Sequence, residues 1–277
     1  MTAALIAGQN ADGGWGAGAG GRSWTEPTAW ALVALQGRAP EAVGRGVSWL
    51  RKAQLEDGAW PASPGTGGGT WVGAVAALLP AAVLGAEAHG RALERVAAGA
   101  SVLPGRVERL RQWMLGVKPA EGPPTQAWPW VPGTAPWLVP TVISMLALGK
   151  DEGARARHAT LLGNGRNYLL ERQCSDGGWN HGSSRVLGYD GASYPETTGL
   201  ALLALRGMKG AAVQKGLAAA ERHARRCQTV EGAHWLRLAL WAHGREPIFE
   251  PPRKEGDFRE MALGVIVERC MAGEGLL

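Results

Sequence analysis

One seven-residue phrase occurs three times, with Gln, Asp, Gly and Trp at fixed spacing: Gln9-Asn-Ala-Asp12-Gly-Gly-Trp15, Gln54-Leu-Glu-Asp57-Gly-Ala-Trp60 and Gln173-Cys-Ser-Asp176-Gly-Gly-Trp179. A worn fourth unit runs from Ala127-Trp128-Pro129 to Pro132-Gly133-Thr134. It repeats Ala59-Trp60-Pro61 to Pro64-Gly65-Thr66 at an offset of 68 without the Asp-Gly. Recurrence of this kind means a supersecondary unit that buries its apolar face only by stacking on its neighbours. The phrase also accounts for an inverted aromatic usage, 13 Trp against 3 Tyr and 2 Phe.

What surrounds each phrase sets the layers. Before it lie amphipathic stretches with charged residues interleaved, such as Val43, Val47 and Leu50, or Val107, Leu110, Trp113 and Met114. After it come runs that are apolar on every side: Thr28 to Leu35, Thr141 to Leu148 and Thr198 to Leu205. A helix apolar all round must be covered all round. Alternating half-wet and fully buried helices therefore predict two concentric rings, about ten to twelve helices in all. In the connecting turn, Gly is expected to take the left-handed conformation that ends an outer helix. Asp is expected to accept amides at a neighbouring helix start, and Trp to fill the seam between layers with its N–H tied. Pro27 and Pro140 suit a first helical position. The chain begins partway through a repeat. The run from Phe258 to Met271 reads as a further helix, predicted to pack near the first inner helix and close the ring; an open solenoid is the alternative.

The remaining composition narrows the class. At 277 residues the chain supports one large domain or two small ones. A charged fraction of 19% is too low for a disordered chain of this hydrophobicity. MTAALIAGQN lacks the basic segment of a secretory signal, the longest apolar run (Trp71 to Ala86) is too short to span a bilayer, and Cys174, Cys227 and Cys270 make no disulfide framework. A cytoplasmic protein is the expectation. A net charge of +5 without a basic run gives no nucleic-acid footprint. Gly16-Ala-Gly18-Ala-Gly-Gly21 matches a dinucleotide fingerprint in letters, but no strand precedes it, so it reads as a loop.

The three phrases and the runs that follow them resemble the QW repeats of squalene–hopene and oxidosqualene cyclases, and the related repeat of protein prenyltransferase β-subunits. The likeness covers most of residues 5 to 245. It implies an all-α (α/α)5-6 barrel, a toroid of inner and outer helix rings around an apolar central cavity, with residues 1–277 as a single domain. Protonating cyclases carry Asp-x-Asp-Asp-Thr-Ala at an inner-helix start, and none of the six Asp here forms an Asp-x-Asp. Glu26-Pro27-Thr28-Ala29 and Glu196-Thr197-Thr198-Gly199 overlie the motif's second half. They offer Glu26 and Glu196 as general acids, or as first-turn carboxylates that satisfy helix amides. The prenyltransferase zinc set is matched by Asp190-Gly191 and His234, but Ala192 stands where the Cys ligand belongs, and Cys227 replaces it only if the chain folds back. No metal and no cofactor are therefore expected.

Trp24, Trp30, Trp137, Tyr194 and Trp235 fall at or near inner-helix starts. In the cyclases such rings face carbocations, and with His234 and Asp190 they form the expected substrate contacts. The polar segment from Asn180 to Asp190 is expected at a barrel mouth. The implied partner is an isoprenoid or other apolar small molecule, either cyclised after protonation or only bound, as in a ligand-binding or partner-docking module. By the same resemblance, the positive charge and the Trp71–Ala86 segment are an expected peripheral membrane contact.

Overall fold

The computed structural model describes residues 1–101, 111, 114, 126–182, 185–186, 189–246 and 256–277. Of the amphipathic stretch at Val107, Leu110, Trp113 and Met114, all but Met114 lie outside the described residues, as do four positions of the Asn180–Asp190 segment.

The helices, in chain order, are α1 (Thr2–Ala7), α2 (Thr25–Leu35), α3 (Pro40–Ala53), α4 (Val72–Ala76), α5 (Ala81–Leu84), α6 (Ala86–Ala98), α7 (Leu138–Lys150), α8 (Glu152–Arg157), α9 (Ala159–Glu171), α10 (Pro195–Ala204), α11 (Ala211–Ala224), α12 (Val230–Ala242) and α13 (Phe258–Met271). Among the described residues the only sheet is an antiparallel pair, β1 (Arg185–Val186) with β2 (Tyr189–Asp190), between α9 and α10.

Six helices form a closed inner ring. α2 packs on α4, α4 on α7, α7 on α10, α10 on α12, α12 on α13, and α13 returns to α2. The chain is thus an all-α toroid, closed as predicted by the helix at Phe258–Met271, and not an open solenoid. In α2 every residue except Glu26 is buried, and in α7 only the ends, Val139 and Gly149–Lys150, are not. The outer helices α3, α6, α9 and α11 each bury one stripe, in α3 through Ala42, Gly46, Val47, Trp49 and Leu50. Pro27 and Pro140 lie third in their helices rather than first. The first-turn position is still harmless, because amides there have no intrahelical acceptor to lose.

The repeated phrase does the same work each time. The indole N–H of Trp15, Trp60 and Trp179 donates to the carbonyl ten residues earlier, Leu5, Leu50 and Leu169, at 2.7, 2.8 and 2.6 Å. In the worn copy Trp128 donates to Val96 at 2.6 Å. Each indole thereby fastens the turn to the outer helix before it. Gly46 and Gly216 on the following outer helix make room for the ring: a Cβ there would lie 2.7 Å from Trp15 Cζ3 and 2.6 Å from Trp179 Cζ3. Gly13, Gly58 and Gly177 are left-handed, with φ of 94°, 83° and 91°. They lie within the turn, past the helix end. A Cβ there would come 2.8, 2.5 and 2.8 Å from the carbonyls of Arg45, Arg91 and Lys215.

The roles of Asp and Gln differ from expectation. Asp12, Asp57 and Asp176 accept the amide two residues on and so close their own turn. Asp12 and Asp57 also reach the next outer helix, accepting from the Trp49 indole of α3 at 3.1 Å and from Arg95 of α6 at 3.0 Å, while Gln ties that helix by its backbone. Gln9, Gln54 and Gln173 each donate within the turn, to Gly13, Gly58 and Gly177, and across to first-turn carbonyls of α3, α6 and α11 at Ala42, Ala88 and Ala212. An amide can donate two bonds from one nitrogen, which a carboxylate cannot.

Neighbouring inner helices pack closely. Gly199 of α10 meets α12 so closely that a Cβ would sit 2.6 Å from the Trp235 carbonyl carbon. Ala29 and Ala31–Leu35 of α2, with Ala262, Ile266 and Val267 of α13, are wholly buried. The open space described lies at the rim and between the rings. Across the C-terminal ends of the inner helices runs the segment after α13. Leu276 and Leu277 are buried there, Lys150 Nζ donates to Leu78 and Leu276 carbonyls, and Arg206 donates to the Leu277 carbonyl. Among the described residues no helix is long and apolar enough to cross a membrane.

Candidate functional site

The N-terminal ends of the inner helices carry the aromatic residues. Trp24, Trp71, Trp137 and Tyr194 cap α2, α4, α7 and α10. Three of them are set by the repeat itself, since the amides of Trp24, Trp137 and Tyr194 donate to the carbonyls of Trp15, Trp128 and Trp179. A residue so fixed projects its ring at the same mouth in each unit.

Between α2 and α4 this mouth opens into a cleft of about 420 Å³. Its walls include Trp24, Trp71 and Trp130, with Pro27, Val72 and Val131, and Glu26 is its one carboxylate. Trp71 and Trp130 stand perpendicular, centroids 4.9 Å apart. Thr70 lines the cleft with its hydroxyl buried and unpartnered. Arg22 stacks on the Trp24 ring at 4.3 Å. The result is an apolar recess with two polar groups, the composition of a small-molecule site.

Glu26 belongs to a wider arrangement across three inner helices. Arg259 of α13 holds it at 3.2 Å and also pairs with Glu231 of α12. Glu231 accepts the Trp235 indole N–H at 3.3 Å, and Trp235 meets Trp30 of α2 edge to face, centroids 5.9 Å apart. The Trp30 N–H is buried with no hydrogen-bond partner, leaning toward Glu26 without completing a bond. Burial raises the Glu26 carboxyl above its ordinary range, against the opposing pull of Arg259.

The other expected site residues lie elsewhere. Glu196 accepts the hydroxyl of Thr229, which itself caps α12 through Gly232, so its geometry is that of a helix-start brace. Trp137 and Tyr194 are exposed at the rim, Tyr194 against His181 at 5.4 Å, and neither lines the cleft. Asp190 is exposed on β2. His234 is buried against Gly264, and burial together with Arg237 pushes it down to about 4, a neutral imidazole. Among the described residues no three His, Cys, Asp or Glu side chains gather as a metal site, Asp190, Cys227 and His234 included.

Of the expected residues, then, Trp24 and Glu26 share the cleft, and Trp30 and Trp235 back it. Trp71, Trp130, Thr70, Glu231 and Arg259 were not anticipated. Trp71 carried a signal, since it falls eleven residues after Trp60 as Glu26 does after Trp15. Arg259 carried none, because its partners lie far away in the chain.

No protein-family model and no curated protein matches the chain. Solved structures do. A protein from Actinoplanes is 16% identical, covering 98% of this chain and 82% of its own, with a TM-score of 0.57. The type II terpene cyclase MstE from Scytonema, without ligand, is 16% identical over 98% of this chain and 76% of its own, TM-score 0.55. An MstE variant in complex with its substrate geranylgeranyl dihydroxybenzoate gives 15% identity and a TM-score of 0.52, with 98% and 76% covered. At these identities the likeness is one of fold, and the fold of this chain is terpene-cyclase-like.

Proposed function

We propose that residues 1–277 act as one terpene-cyclase-like domain that binds an isoprenoid or similarly apolar small molecule in the rim cleft. Glu26 is the group that would protonate it. The carrying observation is the single half-buried carboxylate among Trp24, Trp71 and Trp130. The indoles offer π faces to an apolar chain and to any positive charge that develops on it. Burial favours the protonated, donating form of Glu26. The fold shared with a prenyl-substrate cyclase agrees with this reading, although a fold does not carry its chemistry with it.

One observation favours binding without turnover. The Arg259 guanidinium at 3.2 Å stabilises the Glu26 carboxylate, and Arg259 is shared with Glu231, so the proton donor works against a fixed cation. Two measurements separate the readings. Quenching of tryptophan fluorescence by squalene or geranylgeraniol reports occupancy of the cleft, and mass spectrometry of extracted products reports cyclisation. Cyclase activity requires product with the wild type and its loss with Glu26→Gln while quenching persists. Quenching without product identifies a binder. Quenching that survives Trp71→Ala and Trp130→Ala together rejects the cleft.

A further inference from the structure

On the opposite side from the rim cleft, where the C-terminal halves of α7 and α10 face the outer helices α8 and α9, lies a crevice of about 180 Å³. Its floor is apolar: Met145 and Leu146 of α7, Leu162 of α9 and Leu203 of α10. Three guanidinium-bearing side chains surround it, Arg155, Arg166 and Arg206, and no carboxylate lines it. Arg155 has only a loose contact with the exposed Glu152, at 4.0 Å. Arg206 spends one nitrogen on the Leu277 carbonyl at 2.9 Å and keeps its other donors. Arg166 is exposed and has neither ion pair nor hydrogen bond among the described residues.

Three like charges around one apolar recess repel one another, so the arrangement needs a reason. Complementing helix dipoles accounts for Arg155 and Arg206, which stand at helix C-terminal ends. It does not account for Arg166, which lies mid-helix in α9. The local positive field is also felt nearby: Lys150, half-buried beside this face, is pushed down to about 8 by desolvation, with the charge of Arg206 adding to it. Guanidinium groups match phosphate oxygens by paired N–H donors, and an apolar floor beneath them suits the carbon that a phosphate ester carries.

We propose that this crevice binds the phosphorylated end of an alkyl or prenyl phosphate ester, with Arg155, Arg166 and Arg206 on the phosphate oxygens and Met145, Leu146, Leu162 and Leu203 against the first carbons. The space takes a phosphate or diphosphate head and a few carbons; the rest of the chain extends into solvent or along the α7–α10 surface. This site is independent of the rim cleft.

Calorimetric titration of the full chain with geranyl diphosphate, inorganic pyrophosphate and geraniol tests it. Geranyl diphosphate is expected to bind at least tenfold more tightly than either fragment, with an affinity that falls as salt rises. Arg166→Glu and Arg155→Glu alter exposed side chains, so melting temperature should hold while affinity drops at least tenfold. Glu26→Gln and Trp24→Ala remove any share of binding that belongs to the rim cleft, and the salt-dependent share at the arginines should persist in both. Equal affinity for pyrophosphate and geranyl diphosphate would overturn the apolar half of the proposal. Absence of binding, or binding lost in the rim variants and kept in the arginine variants, would overturn it entirely. Sedimentation with phosphatidic acid vesicles in place of geranyl diphosphate binding would assign the arginines to a membrane surface instead.

Discussion

Gly73→Thr should stabilise the protein, because three of the four repeat units already contain the interaction it would restore. Thr28 accepts the backbone N–H of Trp15 at 2.8 Å, Thr141 that of Trp128 at 3.0 Å, and Thr198 that of Trp179 at 3.0 Å. The first two threonines lie 13 residues after their tryptophan. Counting 13 from Trp60 lands on Gly73. A Cβ at Gly73 would stand 3.5 Å from Trp60 Cε3 and 3.7 Å from Trp60 N, ordinary contact distances. The residue lines a slot of about 50 Å³, enough for a hydroxyl and a methyl group.

The gain has three parts. A net buried hydrogen bond contributes about 0.5–1.5 kcal/mol. The buried methyl adds about 0.8 kcal/mol, and exchanging Gly for Thr in a helix about 0.3 kcal/mol. Fixing the new rotamer and emptying the slot of water offset about 1 kcal/mol of this. The balance is about 0.5–1.5 kcal/mol, a shift of a few degrees in Tm for a chain of this size. Urea denaturation reads it as a higher midpoint at unchanged slope. Gly73→Val is the control, with the same shape and no acceptor, and should fall short of Thr by about 1 kcal/mol. Thr28→Val in the first unit should cost about 1–3 kcal/mol, since it leaves a buried amide unpaired. If Thr and Val at position 73 are equal, the hydroxyl has no such role and the repeat argument fails.

Gly46→Ala and Gly216→Ala, each with a Cβ under 3 Å from an indole, should destabilise by about 1–3 kcal/mol through overpacking, read as a lower denaturation midpoint. His234 has its folded pKa depressed to about 4. Its contribution is therefore fully present above the ordinary histidine pKa and is lost as pH falls from about 6.5 toward 4, by as much as about 3 kcal/mol. A folded His234→Leu variant should show a flatter acid limb, and an unchanged limb would count against burial as the cause. Glu26 is the opposite case: its pKa is raised, so wild-type stability declines as pH rises through that value. Glu26→Gln should thus gain stability relative to wild type at pH 7 over pH 4, and a constant difference across that range would show that Arg259 fully compensates the carboxylate.

The ring architecture was legible because it is written locally and repeatedly. Apolar runs such as Thr28 to Leu35 have one stable environment, and the Trp of each phrase finds its carbonyl only ten residues away. The division of labour between Gln and Asp was not legible, because both reach the next outer helix and only geometry shows that Gln donates to its backbone while Asp12 and Asp57 accept from its side chains. The close approach of α10 to α12 at Gly199 was hidden for a related reason: it is a distance between elements that no periodicity encodes. Glu26 and Trp24 were found from a motif position, whereas Arg259 and Glu231 join them only through ring closure, when α13 is brought against α2.

The second unit is where the pattern breaks, and it is also where the rim opens. Its inner helix α4 has 5 residues, against 11, 13 and 10 in α2, α7 and α10. Its threonine is Gly73, and the stretch Gly65-Thr-Gly-Gly-Gly69 precedes it. Thr70 and Trp71 line both the rim cleft and the slot behind it. Local rules that hold in three units and fail in one mark either drift or a site, and the two have different signatures. Drift means that Gly73→Thr repairs the unit at no functional cost. A site means that the same substitution stabilises the fold while weakening ligand quenching of the cleft tryptophans, because stiffening α4 closes the space that its departure from the repeat leaves open.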